Sequence, residues 1–540
     1  MTDEGTSQQP TSSRRWLEIA LIFVVFFVAG GTPVPHVNET HYLAKAKQYW
    51  QPEWCAGDLF LESGKAHLTF YWTVGVLTKW LPLPAVAWIG RVVAWLALAY
   101  AWQRLSQQVM TKSFYSAIAA MTMVALVDWT NFAGEWVIGG VEGKCFAYAM
   151  VFLGLAHLMK GNWKWAWPWM GTAAAFHALV GAWSVVAAGM VWFCESREVR
   201  PKLASMLPPL LIGGAISLLG VVPALLLTRE ISPDVVSEAN QIYVFERLSH
   251  HLAPLSLPSE ELGRKALRFG ALLVGFVWLR YLCFKRNVDR SVAASAKRLE
   301  LLMRFALASL VISVFGFAWE LIFWNHPAVA AKLLKFYLFR LADIAIPVAT
   351  ALGLVWLVAQ LIERRSSWGI LLLLAAIGLP SAHLLQLSRD RYENPVPPGE
   401  NKLIDSIAFR DACQWVREHT LEDAFFLVPR MSQAFKWHAG RSDLVTWKDV
   451  PQSADALLTW RDRVFDVHYY IDEFGERKAH RSLADQGTKR IRELARKYQF
   501  DYLLTRQSPQ LGLPMVYSNE SYIIYRTSNT KQKLEKALEL

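Results

Sequence analysis

The sequence predicts a polytopic α-helical membrane protein that ends in a small soluble α/β domain. Two observations carry this. Hydrophobic residues make up 54% of the 540 and charged residues only 19%, less charge than soluble chains of this size carry. The apolar residues also fall in blocks between positions 16 and 387, whereas the sequence beyond 390 has an ordinary soluble composition.

A spanning helix needs about 20 apolar residues, fewer when the local bilayer is thin. Segments 16–31, 85–102, 114–129, 142–159, 204–227, 266–283, 302–323, 333–362 and 369–387 are the candidates. Segment 165–194 is too long for one ordinary span. Pro168 near its start and His177 and Gly181 near its middle predict a hairpin of two short helices, with one long tilted helix as the alternative. The total is about eleven spans. Arg14, Arg15, Arg104, Lys112, Lys160, Lys164, Arg197, Arg200, Lys202, Lys285, Arg286, Arg290, Lys297, Arg298, Arg364 and Arg365 then share one side, but only if 165–194 is a hairpin. Basic residues mark the cytoplasmic side, so the N-terminus is expected inside and everything after 387 outside an inner (cytoplasmic) membrane. Trp is abundant, 25 in all, and many sit at block ends (Trp16, Trp80, Trp102, Trp129, Trp163, Trp165, Trp324) as in an interfacial belt. Segment 16–31 could instead be a cleaved signal peptide; the acidic motif directly after it favours a retained helix.

Residues 1–390 are thus expected to form the transmembrane domain, with outer loops 32–66, 131–141 and 229–265, and 391–540 a soluble extracytoplasmic domain. Residues 67–80, apolar but for Lys79, read as an interfacial helix. The net charge of +11 resides mainly in short loops between apolar blocks, so no nucleic-acid partner is implied and membrane lipids are. Five cysteines show neither CxxC nor metal spacing; a Cys55–Cys413 disulfide is one option, free thiols the other.

Beyond the prolines at 395, 397 and 398, residues 404–418, 453–466 and 487–498 have helical spacing. Residues 424–428, 443–447, 501–505 and 522–526 read as strands, which together suggest a small α/β domain. It has no glycine-rich phosphate loop and no nucleophile elbow.

The polar residues that invite chemistry lie in the outer loops. Asn38, Glu39, Thr40, His41 and Tyr42 follow the first span, and Asp58 and His67 lie further along. A carboxylate at a membrane face is costly without a partner or a task. Glu39 is either a general base or an acid capping a surface helix. Glu135, Gly139, Gly140, Glu142 and Lys144 precede the fourth span; Glu142 and Lys144 could hold an acceptor or phosphate, or form a solvated turn. Arg247, His250 and His251 suit a phosphate or pyrophosphate oxygen, against a solvated loop. Arg340 and Asp343 are one helical turn apart, either a structural pair or, for Arg340, a lipid-phosphate contact.

Asn38-Glu39-Thr40-His41-Tyr42, the hairpin around His177 and the outer C-terminal domain together resemble the GT-C superfamily of polyprenyl-phosphate-dependent glycosyltransferases, which includes protein O-mannosyltransferases and aminoarabinose transferases. The resemblance covers most of the membrane part in layout. It implies transfer of a sugar from a lipid-linked donor, a carboxylate base and a cation on the departing phosphate. The family's first acid of the pair is Asn38 here, so one carboxylate is missing. That weakens a bound metal, leaves no ligand set to name although a divalent metal stays an option, and points to Glu39 as the base. A transporter or flippase of lipid-linked saccharide predicts two related halves with broken helices, and no internal repeat is evident. A catalytically inactive scaffold of the same fold is the third reading.

Overall fold

The computed structural model describes residues 12–110, 112–285 and 292–527; Arg286 and Arg290 of the basic loop lie outside them. Among the described residues six helices are long and apolar enough to cross a membrane: Leu83–Ser106, Leu203–Leu226, Ser259–Phe284, Ala293–Ile322, Arg340–Glu363 and Ser367–Glu393. Tyr115–Thr130, Gly143–Met159 and Ala178–Phe193 are shorter apolar helices. Ser12–Gly30 and Trp163–Phe176 are also helical.

The bundle is organised around Arg340–Glu363, whose apolar stretch is 94% buried, while only 17% of Leu203–Leu226 and of Ser367–Glu393 is covered. The outward faces of these peripheral helices carry Leu211, Leu225, Leu374 and Leu385, all exposed. A continuous exposed apolar belt of this kind is matched by hydrocarbon, not water. Of the seven tryptophans at block ends, Trp16, Trp80, Trp129, Trp165 and Trp324 are exposed as a belt requires, but Trp102 and Trp163 are buried. The Trp102 indole donates to the Ser116 carbonyl at 2.9 Å, which draws it into the bundle.

Segment 165–194 is two helices, Trp163–Phe176 and Ala178–Phe193, broken at His177. The break is sharp: a Cβ on Gly181 would lie 2.2 Å from the Ala174 nitrogen. Trp163–Phe176 also touches Leu203–Leu226 through glycine, since a Cβ on Gly171 would meet the Gly213 carbonyl at 2.1 Å. Small residues let membrane helices approach this closely. Residues 67–80 do not form one surface helix. They split into Leu68–Trp72 and a 3-10 turn, Gly75–Lys79, and Gly75 packs closely against Ala46.

The C-terminal part is a three-layer α/β unit. Its strands are β1 (Phe425–Leu427), β2 (Ser442–Asp443), β3 (Tyr469–Ile471), β4 (Arg477–Ala479), β5 (Tyr502–Arg506), β6 (Met515–Ser518) and β7 (Tyr522–Arg526). The main sheet has order β2-β1-β5-β7-β6, parallel across the first three and antiparallel beyond, and β3 and β4 pair separately. Both sheet faces are apolar because both are covered. Phe426, Leu504 and Ile524 face helix Ser406–His419, whereas Leu427, Leu503 and Ile523 face Ala454–His468 and Gly487–Tyr498. The strand read at 443–447 is only two residues long, and β6 was not legible in the sequence. Cys55 and Cys413 are buried free thiols, so no disulfide joins them.

The unit is fastened to the membrane domain. Ala239 and Ile242 of the 229–265 loop enter its core. The Gly399 amide donates to the Pro35 carbonyl at 2.9 Å and the Ser442 hydroxyl to the Ala56 carbonyl at 2.8 Å.

Candidate active site

A buried ionic cluster forms where the hairpin tip, the 131–144 segment and the start of Arg340–Glu363 meet beneath the C-terminal domain. Asp343 shapes it. Its carboxylate accepts the Phe132 and Ala133 amides at 3.0 and 2.7 Å and the Glu135 amide at 3.3 Å. That grip fixes the loop and aims Glu135 inward, where Arg340 binds its carboxylate. A second Arg340 nitrogen lies 3.2 Å from His177 Nε2, and the guanidinium stacks on Tyr337 at 3.8 Å. Arg340 and Asp343 therefore do not pair with each other, as their helical spacing had suggested: each has a nearer partner on the loop.

Lys144 sits between two acids, its ammonium 3.1 Å from Glu135 Oε1 and 3.1 Å from Glu142 Oε1, over the Trp136 ring at 3.9 Å. Glu135 is thus held by two cations. Glu142 is held by Lys144 and by the Asn38 amide, which is 3.4 Å from both oxygens. Glu142 is the less committed carboxylate of the two. Lys448, from the C-terminal domain, lies within electrostatic reach of Glu142; burial, then Arg247, lowers its ammonium to about 8.

The residues present do not fit a divalent cation in this arrangement. The space between the two carboxylates holds an ammonium, the third donor is an amide, and no group of three His, Cys, Asp or Glu suited to a metal occurs among the described residues.

Glu39 takes the helix-start position of the capping alternative, not a position open to a substrate. It begins helix Glu39–Trp50 and is wholly buried. Arg91 binds it through two nitrogens at 2.6 and 2.7 Å, and the Val141 and His36 amides donate to it at 2.9 and 2.7 Å. Four donors leave no lone pair directed at a substrate, so its geometry is that of an anchor joining the first loop to 131–144. Gly139 and Gly140 serve the same junction: a Cβ on Gly140 would lie 2.4 Å from His36 Cβ, so it is His36 and not a ligand that needs the glycine. Burial lowers His36 to about 3 and His67 to about 4, and both are neutral near pH 7. His67 borders the cluster, 4.8 Å from Tyr42 and 6.1 Å from His177 between ring centres.

Four other expected site residues, Asp58, Arg247, His250 and His251, lie elsewhere. Asp58 caps Leu59–Glu62 and meets Lys436 at 3.0 Å; Lys436 also binds Asp443 and Asp449, at 2.5 and 2.7 Å. Burial pushes Asp443 up to about 8. Burial would raise Asp449 too, but Lys436 and His41 outweigh it and hold that carboxyl low. This cluster is a fastener between domains. Arg247 donates to the Trp447 carbonyl at 3.1 Å and stacks on its ring. His251 is held against the Ala133 carbonyl, and burial keeps His250, lowered to about 4, and His251 uncharged, which removes the cations expected for a phosphate.

The structure thus gathers Glu142, Lys144, His177, Arg340 and Asp343, with His67 at the margin. The sequence reading did not identify Arg91, Lys436 or Lys448. A lone Arg91 inside an apolar helix was the available signal, since such a charge requires a partner.

A cavity of about 1010 Å³ opens on the far side of residues 65–68, and none of the cluster's own residues lines it. Leu68, Leu219 and Val222 supply apolar wall, and Lys65, Arg229 and Arg463 stand with Glu62 and Asp455 on its polar side. Residues 65–68 form the partition: Lys65 and Leu68 line the cavity, while His67 turns toward Tyr42 and His177.

Residues 408–467 match the Domain of unknown function (DUF6798). No curated protein matches the chain. Among solved structures it is similar to an oligosaccharyltransferase of Archaeoglobus fulgidus in complex with Zn and sulfate, at 13% identity and TM-score 0.48, over 91% of this chain and 67% of that one. It is similar also to AglB of Archaeoglobus fulgidus in complex with an inhibitory peptide and a dolichol-phosphate, at 12% identity and TM-score 0.47, over 91% and 69%. A third similarity is to ArnT from Cupriavidus metallidurans bound to undecaprenyl phosphate, at 12% identity and TM-score 0.34, over 96% and 98%.

Proposed function

We propose that the chain is a membrane glycosyltransferase of the GT-C kind. It moves a sugar from a polyprenyl-phosphate donor to an acceptor at the extracytoplasmic face, the face that carries the C-terminal domain. The observation that supports this best is the buried Glu135–Lys144–Glu142 and Arg340 cluster, separated by residues 65–68 from a cavity with an apolar wall and a charged rim of three cations and two acids.

In this reading the prenyl chain lies along Leu219 and Val222, and Lys65 and Arg229 draw the phosphate toward the partition. The acceptor oxygen or nitrogen forms a bond to the anomeric carbon as the bond from that carbon to the phosphate oxygen breaks. Glu142 takes the acceptor's proton. Lys144 and Arg340 offset the charge that builds on the departing lipid phosphate. Glu135 positions both cations, Asp343 positions Glu135, and no step is routed through a metal.

The test is transfer in proteoliposomes, followed by release of prenyl phosphate, together with mass spectrometry of lipid that co-purifies. A lipid-linked sugar in the wild-type preparation and loss of release in Glu142→Gln, with cooperative thermal unfolding retained, are expected. Absence of any such lipid together with unchanged release in Glu142→Gln overturns the proposal. An inactive scaffold has one observation in its favour, the amide of Asn38 where the family carries an acid, and it predicts no release from either form.

A further inference from the structure

The C-terminal domain contains a second cavity, of about 320 Å³, that the transfer chemistry does not use. It opens at the C-terminal edge of the parallel strands. Arg430 follows β1, Arg506 ends β5, and Lys402 and Arg481 complete four cations on its wall, with no Asp or Glu in the lining. Among the described residues Lys402, Arg481 and Arg506 make no ion pair and no side-chain hydrogen bond. Arg430 is aimed by a 3.1 Å bond to the Tyr469 hydroxyl and by the Trp447 ring. Lys402 and Arg481 are exposed and Asp485 stands behind Ser482, whose amide it accepts at 2.8 Å, so solvent and that carboxylate screen the cations in part; an anion among the four still gains from each.

The topology makes the same point independently. From β1 the chain goes to β2 on one side, and β5 lies on the other. Connections that leave adjacent parallel strands in opposite directions open a crevice at their C-terminal ends, where ligands of open α/β sheets bind. The cavity lies in that crevice. Thr505 of β5 and Ser482, 2.9 Å apart through their hydroxyls, add neutral hydrogen-bonding groups beside the cations. Arginine forks match phosphate oxygens in pairs, and the volume is at the small end of ligand pockets.

We propose that this crevice binds a phosphate-bearing group of small size, such as pyrophosphate or a phosphorylated sugar. The site is separate from the transfer cluster and does not depend on the reading given to that cluster. The same phosphate could belong to a soluble molecule or to a lipid headgroup.

The test uses the full chain in detergent micelles, titrated with inorganic pyrophosphate at fixed ionic strength and followed by calorimetry and by thermal unfolding. Saturable binding is expected, weakened at least tenfold in the Arg481→Gln/Arg506→Gln double variant and unchanged in Arg496→Gln, an exposed arginine outside the crevice lining. Vesicles doped with prenyl phosphate then distinguish the source: displacement of bound pyrophosphate supports the site with a lipid headgroup as its occupant, and no displacement supports it with a soluble one. Binding that does not saturate, or that the double variant leaves intact, overturns the proposal. Loss of prenyl phosphate release in Glu142→Gln has no bearing on this result, so the two readings fail separately.

Discussion

Replacing Arg91 by leucine tests whether Glu39 is an anchor. Both side chains of the pair have no exposed surface, and the guanidinium grips both carboxylate oxygens at 2.6 and 2.7 Å. In Arg91→Leu the Glu39 carboxylate keeps only the Val141 and His36 amides. Two hydrogen bonds to a charged group, at about 1.5–3 kcal/mol each, give a loss of about 3–6 kcal/mol. Removal of one partner from a buried ion pair independently suggests about 3–5 kcal/mol, because the remaining charge is stranded. The two routes agree, and about 3–5 kcal/mol corresponds to a factor of about 10² to several 10³ in the unfolding equilibrium. The assay is reversible unfolding in mixed micelles, followed by tryptophan fluorescence. The double variant Arg91→Leu/Glu39→Leu should recover most of the loss, since apolar pairs of similar volume often replace buried ion pairs at little cost. A loss under about 1 kcal/mol in Arg91→Leu, or a double variant no better than the single one, would refute the anchor.

Glu142→Gln is expected to slow release of prenyl phosphate by about 10²–10⁴, the usual range for a general base, while the protein still folds because Lys144 keeps Glu135 as its counter-charge. Chelators should leave release unchanged and Lys144→Met should abolish it, because the ammonium already fills the space between Glu135 and Glu142; sensitivity to chelator, read by the same assay, would refute this. Stability should fall in mild acid. His36, His67 and His468 have pKa values lowered by burial from 6.5 to about 3, 4 and 4, so the stability they contribute is fully present above pH 6.5 and is lost as pH falls toward 4. At pH 5.5 each costs about 1.4 kcal/mol, because the unfolded chain takes up the proton and the folded one does not. A flat unfolding free energy between pH 7 and 5.5 would contradict their neutral burial.

The sequence by itself marked the apolar runs before 387 and the ordinary soluble composition beyond 390. The apolar runs, the break at His177 and the helical spacing at 404–418, 453–466 and 487–498 are local patterns, and burial acts on each residue according to its own side chain. It also marked 131–144 and Arg340 as polar groups at membrane depth that needed an explanation. Only the tertiary structure decided what those charges meet. Glu39 finds Arg91 across 52 positions, Arg340 binds Glu135 instead of Asp343 one turn away, and Lys436 collects acids from residues 58, 443 and 449. The same is true of the second cavity, where cations from residues 402, 430, 481 and 506 converge. Hydrophobic burial repeats with the period of the local element, but electrostatic pairing depends on distance in space. Residues far apart in the chain become partners only once the helices and the sheet have packed.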